Sequence, residues 1–131
     1  MAIIKTKILK DAIAELKENP KTITLYKSKY DDKPNTSNES FVTPKLVEVF
    51  EYMNKKNMFD KKYVENHEKL VNKDIKKMKY KEVLTELTYL YEEEQKTGGS
   101  LYKAFQEGRL LALLERLQKL NVLFVIPLLV N

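Results

Sequence analysis

Apolar residues recur with a helical period along most of the chain. They fall first at Ile4, Ile8, Leu9, Ala12, Ile13 and Leu16, with Lys5, Lys7, Lys10, Asp11, Glu15, Lys17 and Glu18 between them. A stripe of about 3.6 residues per turn predicts an amphipathic helix. Asn19-Pro20 stops it, because the residue before a proline is pushed out of the helical region. Thr43-Pro44 predicts a second start, the hydroxyl capping free amides and the proline pre-set for the first turn. Leu46, Val47, Val49, Phe50 and Met53 mark the buried face of that helix. Asp60 is expected to cap a third helix that buries Tyr63, Val64, His67, Leu70 and Val71. The clearest stripe is Tyr80, Val83, Leu84, Leu87, Thr88, Leu90 and Tyr91, with good helix formers on its outer face. Gly98-Gly99 ends it. Ser100 then caps a short helix holding Leu101, Ala104 and Phe105, and Gly108 closes it as a left-handed C-cap. A last helix buries Leu110, Leu113, Leu114 and Leu117.

Three stretches break the period. Residues 22–26 (TITLY) alternate and are β-branched or aromatic, which predicts a short strand. Residues 31–40 (DDKPNTSNES) hold turn formers and no apolar side chain, so they read as a flexible polar loop. Residues 122–130 (VLFVIPLLV) are continuous and β-branched. They predict a second strand beside 22–26 or an extended segment closing the core; an unpaired β edge there could also pair across a homodimer. The expected fold is mainly α: one compact domain, 1–131, of five or six helices with one or two short strands. The run 122–130 contains Pro127 and is far shorter than the roughly 20 residues a bilayer-spanning helix needs, so no membrane anchor is expected.

Composition narrows the chemistry. There is no cysteine, which excludes disulfides, thiolate nucleophiles and every zinc site that needs sulfur. Met1-Ala2-Ile3-Ile4-Lys5 lacks the uninterrupted apolar region of a secretion signal, and a cytoplasmic location is expected. The net charge of +5 is unevenly placed: residues 1–30 carry +4, 31–52 carry −3, 53–82 carry +5 and 83–131 carry −1. Of the 24 basic residues only Arg109 and Arg116 are arginine, the residue favoured for bidentate phosphate and base-edge recognition.

From about residue 45 to 120 the order of elements resembles a family of bacterial and phage-borne domains of unknown function. The resemblance is carried by Leu87-Thr88-Tyr89, Glu94, Gly99, Gly108 and Leu113-Leu114-Glu115-Arg116-Leu117, with Val49-Phe50 and Asp60-x-x-Tyr63 upstream. The family pattern has an Arg-Gly-Glu-Arg-Phe-x-x-Gly segment between its Leu-Thr-Tyr and Leu-x-Arg-Leu elements. Where that pattern has its two arginines this chain has Glu92 and Gln95, and where it has the aromatic this chain has Lys96. An anion gripped by those arginines would not be gripped the same way here. The resemblance implies a fold and no activity.

Two constellations remain as partner-binding candidates. Glu92, Glu93 and Glu94 stand at a helix C-terminus, where the macrodipole disfavours negative charge. They read as an acidic patch for a basic partner, or as a solvated helix end partly neutralised by Lys96 and Lys103. Consecutive helical residues point about 100° apart and cannot converge on one metal ion. The basic candidate is Lys55, Lys56, Lys61, Lys62, Lys73, Lys76 and Lys77, with Lys69, Lys79 and Lys81, interleaved with Tyr52, Tyr63 and Tyr80. It could follow a phosphate backbone or dock an acidic protein. His67 is the only histidine, and no nucleophile elbow or phosphate loop accompanies it. An enzyme would need a site built around Glu94 and His67.

No catalytic residue, cofactor or metal is assigned. The leading expectation is a non-enzymatic accessory protein of a phage or mobile element that binds a host or phage protein, inhibition of a host nuclease or defence system being one form this could take. The alternative is a nucleic-acid-binding module using the lysines of 53–82.

Overall fold

The strongest stripe of the sequence becomes the central helix. The computed structural model describes residues 3–18, 25–27, 39–41 and 43–130. In it the helix here called α4 spans Tyr80–Lys96 and is buried without a break from Val83 to Thr88. Burial all round follows from its neighbours: α3 (Tyr63–Leu70), α5 (Ser100–Gln106) and α6 (Arg109–Val130) all pack on it. Behind them α1 (Thr6–Glu18) lies against both α6 and α2 (Pro44–Lys55). The six helices share one core, in which Leu9, Leu46, Met53, Leu87, Leu113 and Leu117 are fully buried. Each such leucine contributes about 2 kcal/mol relative to exposure.

Local signals explain the helix ends. Thr43 caps α2 through its hydroxyl, which accepts from the Leu46 amide at 3.2 Å, and Pro44 occupies the first turn. At the other end Asn57 takes the left-handed conformation (φ 54°). Its amide donates to Asn54 O at 3.2 Å and the Met58 amide to Met53 O at 2.7 Å, the paired bonds of a Schellman cap. Met58 and Met53 are both buried, the apolar pair that commonly accompanies that motif. Gly108 (φ 77°) turns the chain between α5 and α6 as expected.

The chain's start is clamped to both long helices. The Ile4 amide donates to the Tyr80 hydroxyl at 2.7 Å, and Asn121 Nδ2 donates to the Ile4 carbonyl at 2.6 Å. Burial pushes the Tyr80 phenol up to about 12, the Ile4 hydrogen bond opposing it. Arg116 Nε donates to Met78 O at 3.0 Å and fixes the one-turn 3-10 helix Ile75–Lys77 beneath α6.

Four expectations are corrected. The tail is not a strand: α6 runs on to Val130, through Pro127. A continuous apolar run has no period to tell strand from helix, and extending a formed helix costs far less than starting a new element. The β edge imagined for a homodimer is therefore absent, and Val122 and Leu123 stand about half exposed on a helix instead. A strand over 22–26 is not supported. Leu25 and Tyr26 alone of those residues are described, in a three-residue antiparallel pairing of Leu25–Lys27 with Glu39–Phe41 that is too short to act as a sheet. The polar loop 31–40 lies outside the described residues except for Glu39 and Ser40. On α3 the buried face is Leu70 with half-buried Tyr63 and His67, whereas Val64 and Val71 are exposed. Among the described residues no helix is long and apolar enough to cross a membrane.

Candidate functional site

The polar residues on the buried face of α4 organise the chemistry of the molecule. Glu86 is three residues after Val83 and four before Leu90, so helical geometry carries it inward with them. Its side chain is 1% exposed. Two partners compensate that burial. Arg109, the first residue of α6, donates from Nη2 to Glu86 Oε1, and His67 of α3 donates from Nδ1 to Oε2 at 2.6 Å. The imidazole lies flat on the Tyr89 ring, centroids 3.5 Å apart and planes 8° apart. One buried carboxylate thus ties together α3, α4 and α6.

Asp60 forms a second, partly buried junction. Its Oδ1 accepts from the Lys62 amide at 2.8 Å, and its Oδ2 accepts from Asn66 Nδ2 at 2.8 Å and the Thr85 hydroxyl at 2.6 Å. Its own amide donates to the Thr88 hydroxyl at 3.0 Å. Partial burial works to raise its pKa, but the bonds from Asn66, Thr85 and Lys62, with the charge of Lys81, outweigh it and hold Asp60 below the ordinary carboxylate range.

Of the three glutamates of the expected acidic patch, Glu94 is turned away from the surface. Glu94 is 2% exposed and points inward, where Oε2 accepts from the Gly99 amide at 2.7 Å and Oε1 from the Leu101 amide at 3.0 Å. It does the capping of α5 expected of Ser100; the serine hydroxyl donates instead to Leu90 O at 2.7 Å. Burial raises the Glu94 carboxyl above its usual range against the pull of the two amides. Glu92 and Glu93 are half-buried, with Glu93 4.0 Å from Lys96. The pairing of Glu94 with His67 expected of an enzyme is also absent, since the acid bound to His67 is Glu86.

The lysines separate into two groups. Lys73 Nζ donates to both Glu82 carboxylate oxygens at 2.9 Å. Burial works to raise Glu82, but Lys73 and the Lys79 amide hold it low. Lys76 and Lys77 are exposed on the 3-10 turn beside that pair. Lys55, Lys56, Lys61 and Lys62 form no ion pair with any described residue. The α2 cap and the following turn bring Lys56 and Lys61 to one groove with Lys81 of α4. The groove has a volume of about 390 Å³ and a floor that includes Met58, Phe59 and Leu84. Phe59 is itself stacked on Tyr91, centroids 5.0 Å apart, and so is held in place.

A second cleft, of about 470 Å³, opens where α4, α5 and α6 meet. Tyr89, Glu93, Ser100, Lys103, Glu107 and Arg109 line it. Among the described residues there is no group of three or more acids or histidines placed to hold a metal ion.

Neither Glu86 nor Arg109 stands out as a site residue in the sequence. The legible trace was the spacing that puts both Glu86 and Glu94 on the apolar stripe of α4. In comparison with known proteins, residues 5–122 match a family described as a family of unknown function, DUF6508. No curated protein and no solved structure matches the chain.

Proposed function

Because the chain belongs to DUF6508, a family of unknown function that brings no activity with it, we propose from the geometry that this is a non-enzymatic binding domain. Its partner is a protein, docked by an acidic segment on the groove between the α2–α3 turn and α4. The observation that carries this reading is the groove itself: three lysines, Lys56, Lys61 and Lys81, rim an apolar floor, and Asp60, the one acid lining it, is occupied by three hydrogen bonds. Lys55 and Lys62, next in sequence to Lys56 and Lys61, are exposed and form no ion pair with any described residue. Complementary charge of this kind steers an acidic partner and fixes its register, and an apolar floor gives a buried anchor for one of its side chains. The commitment of Glu86, Glu94 and Asp60 to internal partners further supports binding over catalysis. An accessory role in a phage or mobile element, inhibition of a host nuclease or defence system included, rests on the family resemblance alone.

Selection of a random peptide library on the full chain tests the reading. Enriched peptides should carry an apolar residue flanked by Asp or Glu, and should be lost on Lys56→Glu/Lys61→Glu. Enrichment without acidic bias, or enrichment indifferent to those substitutions, would contradict it.

The same lysines favour a second reading, nucleic-acid binding. No arginine lines the groove, and the Phe59 ring stacks on Tyr91 within the fold, which makes this the weaker fit.

A further inference from the structure

The α4–α5–α6 cleft is built differently from the lysine groove. Its walls carry two cations, Lys103 and Arg109, and two anions, Glu107 and Glu93, the latter 4.0 Å from Lys96, beside the Tyr89 ring. Two of these groups are held by one buried unit. His67 lies flat against Tyr89 and also hydrogen-bonds Glu86, and Glu86 in turn holds Nη2 of Arg109. The other N–H donors of the Arg109 guanidinium have no partner among the described residues. The Arg109 side chain is 29% exposed and Arg109 lines the cleft, whereas the side chain of the Glu86 that holds it is 1% exposed. A buried ion pair is poor evidence for stability, since apolar residues of similar volume commonly serve as well. What this one does achieve is to fix the direction of an arginine and an aromatic ring at the wall of an open cavity, as supporting residues do in ligand sites.

We infer that this cleft binds a small zwitterion of the amino-acid class, with its carboxylate on Arg109 and its ammonium group on Glu93 or Glu107. The balance of charges selects the ligand. A free phosphate dianion or a dicarboxylate would meet the two glutamates, and a simple amine would meet Lys103 and Arg109. A group carrying one charge of each sign satisfies both. The volume of the cleft falls within the range of small-molecule sites, about 300–1,000 Å³.

The test is an NMR titration of the full-length, isotope-labelled chain with the common L-amino acids, and with acetate, methylammonium and inorganic phosphate as single-charge comparisons. At least one amino acid should give saturable shifts confined to the amides of Gly98, Gly99 and Ser100 and to the Arg109 Nε–H. Acetate, methylammonium and phosphate should give none at equal concentration. Arg109→Lys keeps a cation beside Glu86 but loses the planar fork, and should weaken binding at least about tenfold. Glu107 is exposed, so Glu107→Gln should leave the fold intact and narrow the preference for the amino acid over acetate. The assignment is overturned if no amino acid shifts these signals, if acetate or phosphate does so equally well, or if binding is unchanged in both variants.

Discussion

A single buried carboxylate shows how unequal the two halves of an ion pair can be. Glu86 is 1% exposed and Arg109 is 29% exposed, so losing one partner is not like losing the other. Arg109→Ala leaves a buried charge with only His67 beside it and should cost about 3 kcal/mol in denaturant unfolding. Glu86→Gln leaves an arginine that can turn to water, and should cost less than half as much. Equal losses would show that the pair is not desolvated as described. Asp60 and Glu82 are both held below their usual values of 3.8 and 4.5, so each should contribute to the acid side of the stability profile. A carboxylate lowered in the folded state contributes stability that is present above its unfolded value and lost as pH falls through its folded value. Stability should therefore decline from about pH 4.5 downward, and Asp60→Asn/Glu82→Gln should flatten that decline. An unchanged profile in the double variant would place the acid-labile groups elsewhere. Glu86 and Glu94 lie on the apolar stripe of α4 by plain helical spacing, but in the sequence their charge outweighs that spacing, which leaves Glu86 aside and places Glu94 in an exposed patch. Their partners were not legible either, because Arg109 and the amides of Gly99 and Leu101 reach them only through the α4–α5–α6 turns.

Among the elements, the helices were legible wherever one face was apolar and the other charged, as in α1, α2 and α4. The tail failed that test. Residues 122–130 are apolar on every face, and such a run carries no period to distinguish a strand from a continued helix. α3 failed for the opposite reason: its eight residues offer two plausible apolar faces, and contact with Tyr89 and Glu86 selects the one bearing Tyr63 and His67. The short α5 depends on its neighbour, since Glu94 of α4 accepts its first free amides. Glu94→Ala should cost about 2 kcal/mol by leaving the buried Leu101 amide unpaired, and hydrogen exchange should rise over α5 before it rises in α6. Uniform acceleration across both helices would argue against a local cap. Along α6, Leu117→Ala should cost about 3 kcal/mol because Leu117 is fully buried. Val122→Ser, half exposed one turn further on, should change unfolding free energy by no more than about 0.5 kcal/mol. A large loss at Val122 would mean that the end of α6 belongs to the core.

At the scale of the whole molecule, the fold takes Glu86 and Glu94 into its interior and leaves a set of lysines without ion-pair partners. Glu86, Glu94 and Asp60 are taken up by internal partners, while Lys55, Lys56, Lys61 and Lys62 have none among the described residues. The segment 53–82 was recognisable as basic from composition. Composition could not show that Lys73 is spent on Glu82 while Lys56 and Lys61 meet Lys81 over an apolar floor, since that division depends on the α2 cap and the turn after it. The most direct test of acidic-segment docking is an anisotropy titration with a labelled peptide in which phenylalanine is flanked by glutamates. It is run beside a labelled DNA duplex and single strand from about 50 to 200 mM salt, with wild type and with Lys56→Glu/Lys61→Glu/Lys81→Glu. The account predicts that the peptide binds wild type more tightly than either nucleic acid at the upper salt concentration, and that the triple variant weakens the peptide by at least about tenfold. Tighter binding of nucleic acid, or peptide binding that survives all three substitutions, would contradict it.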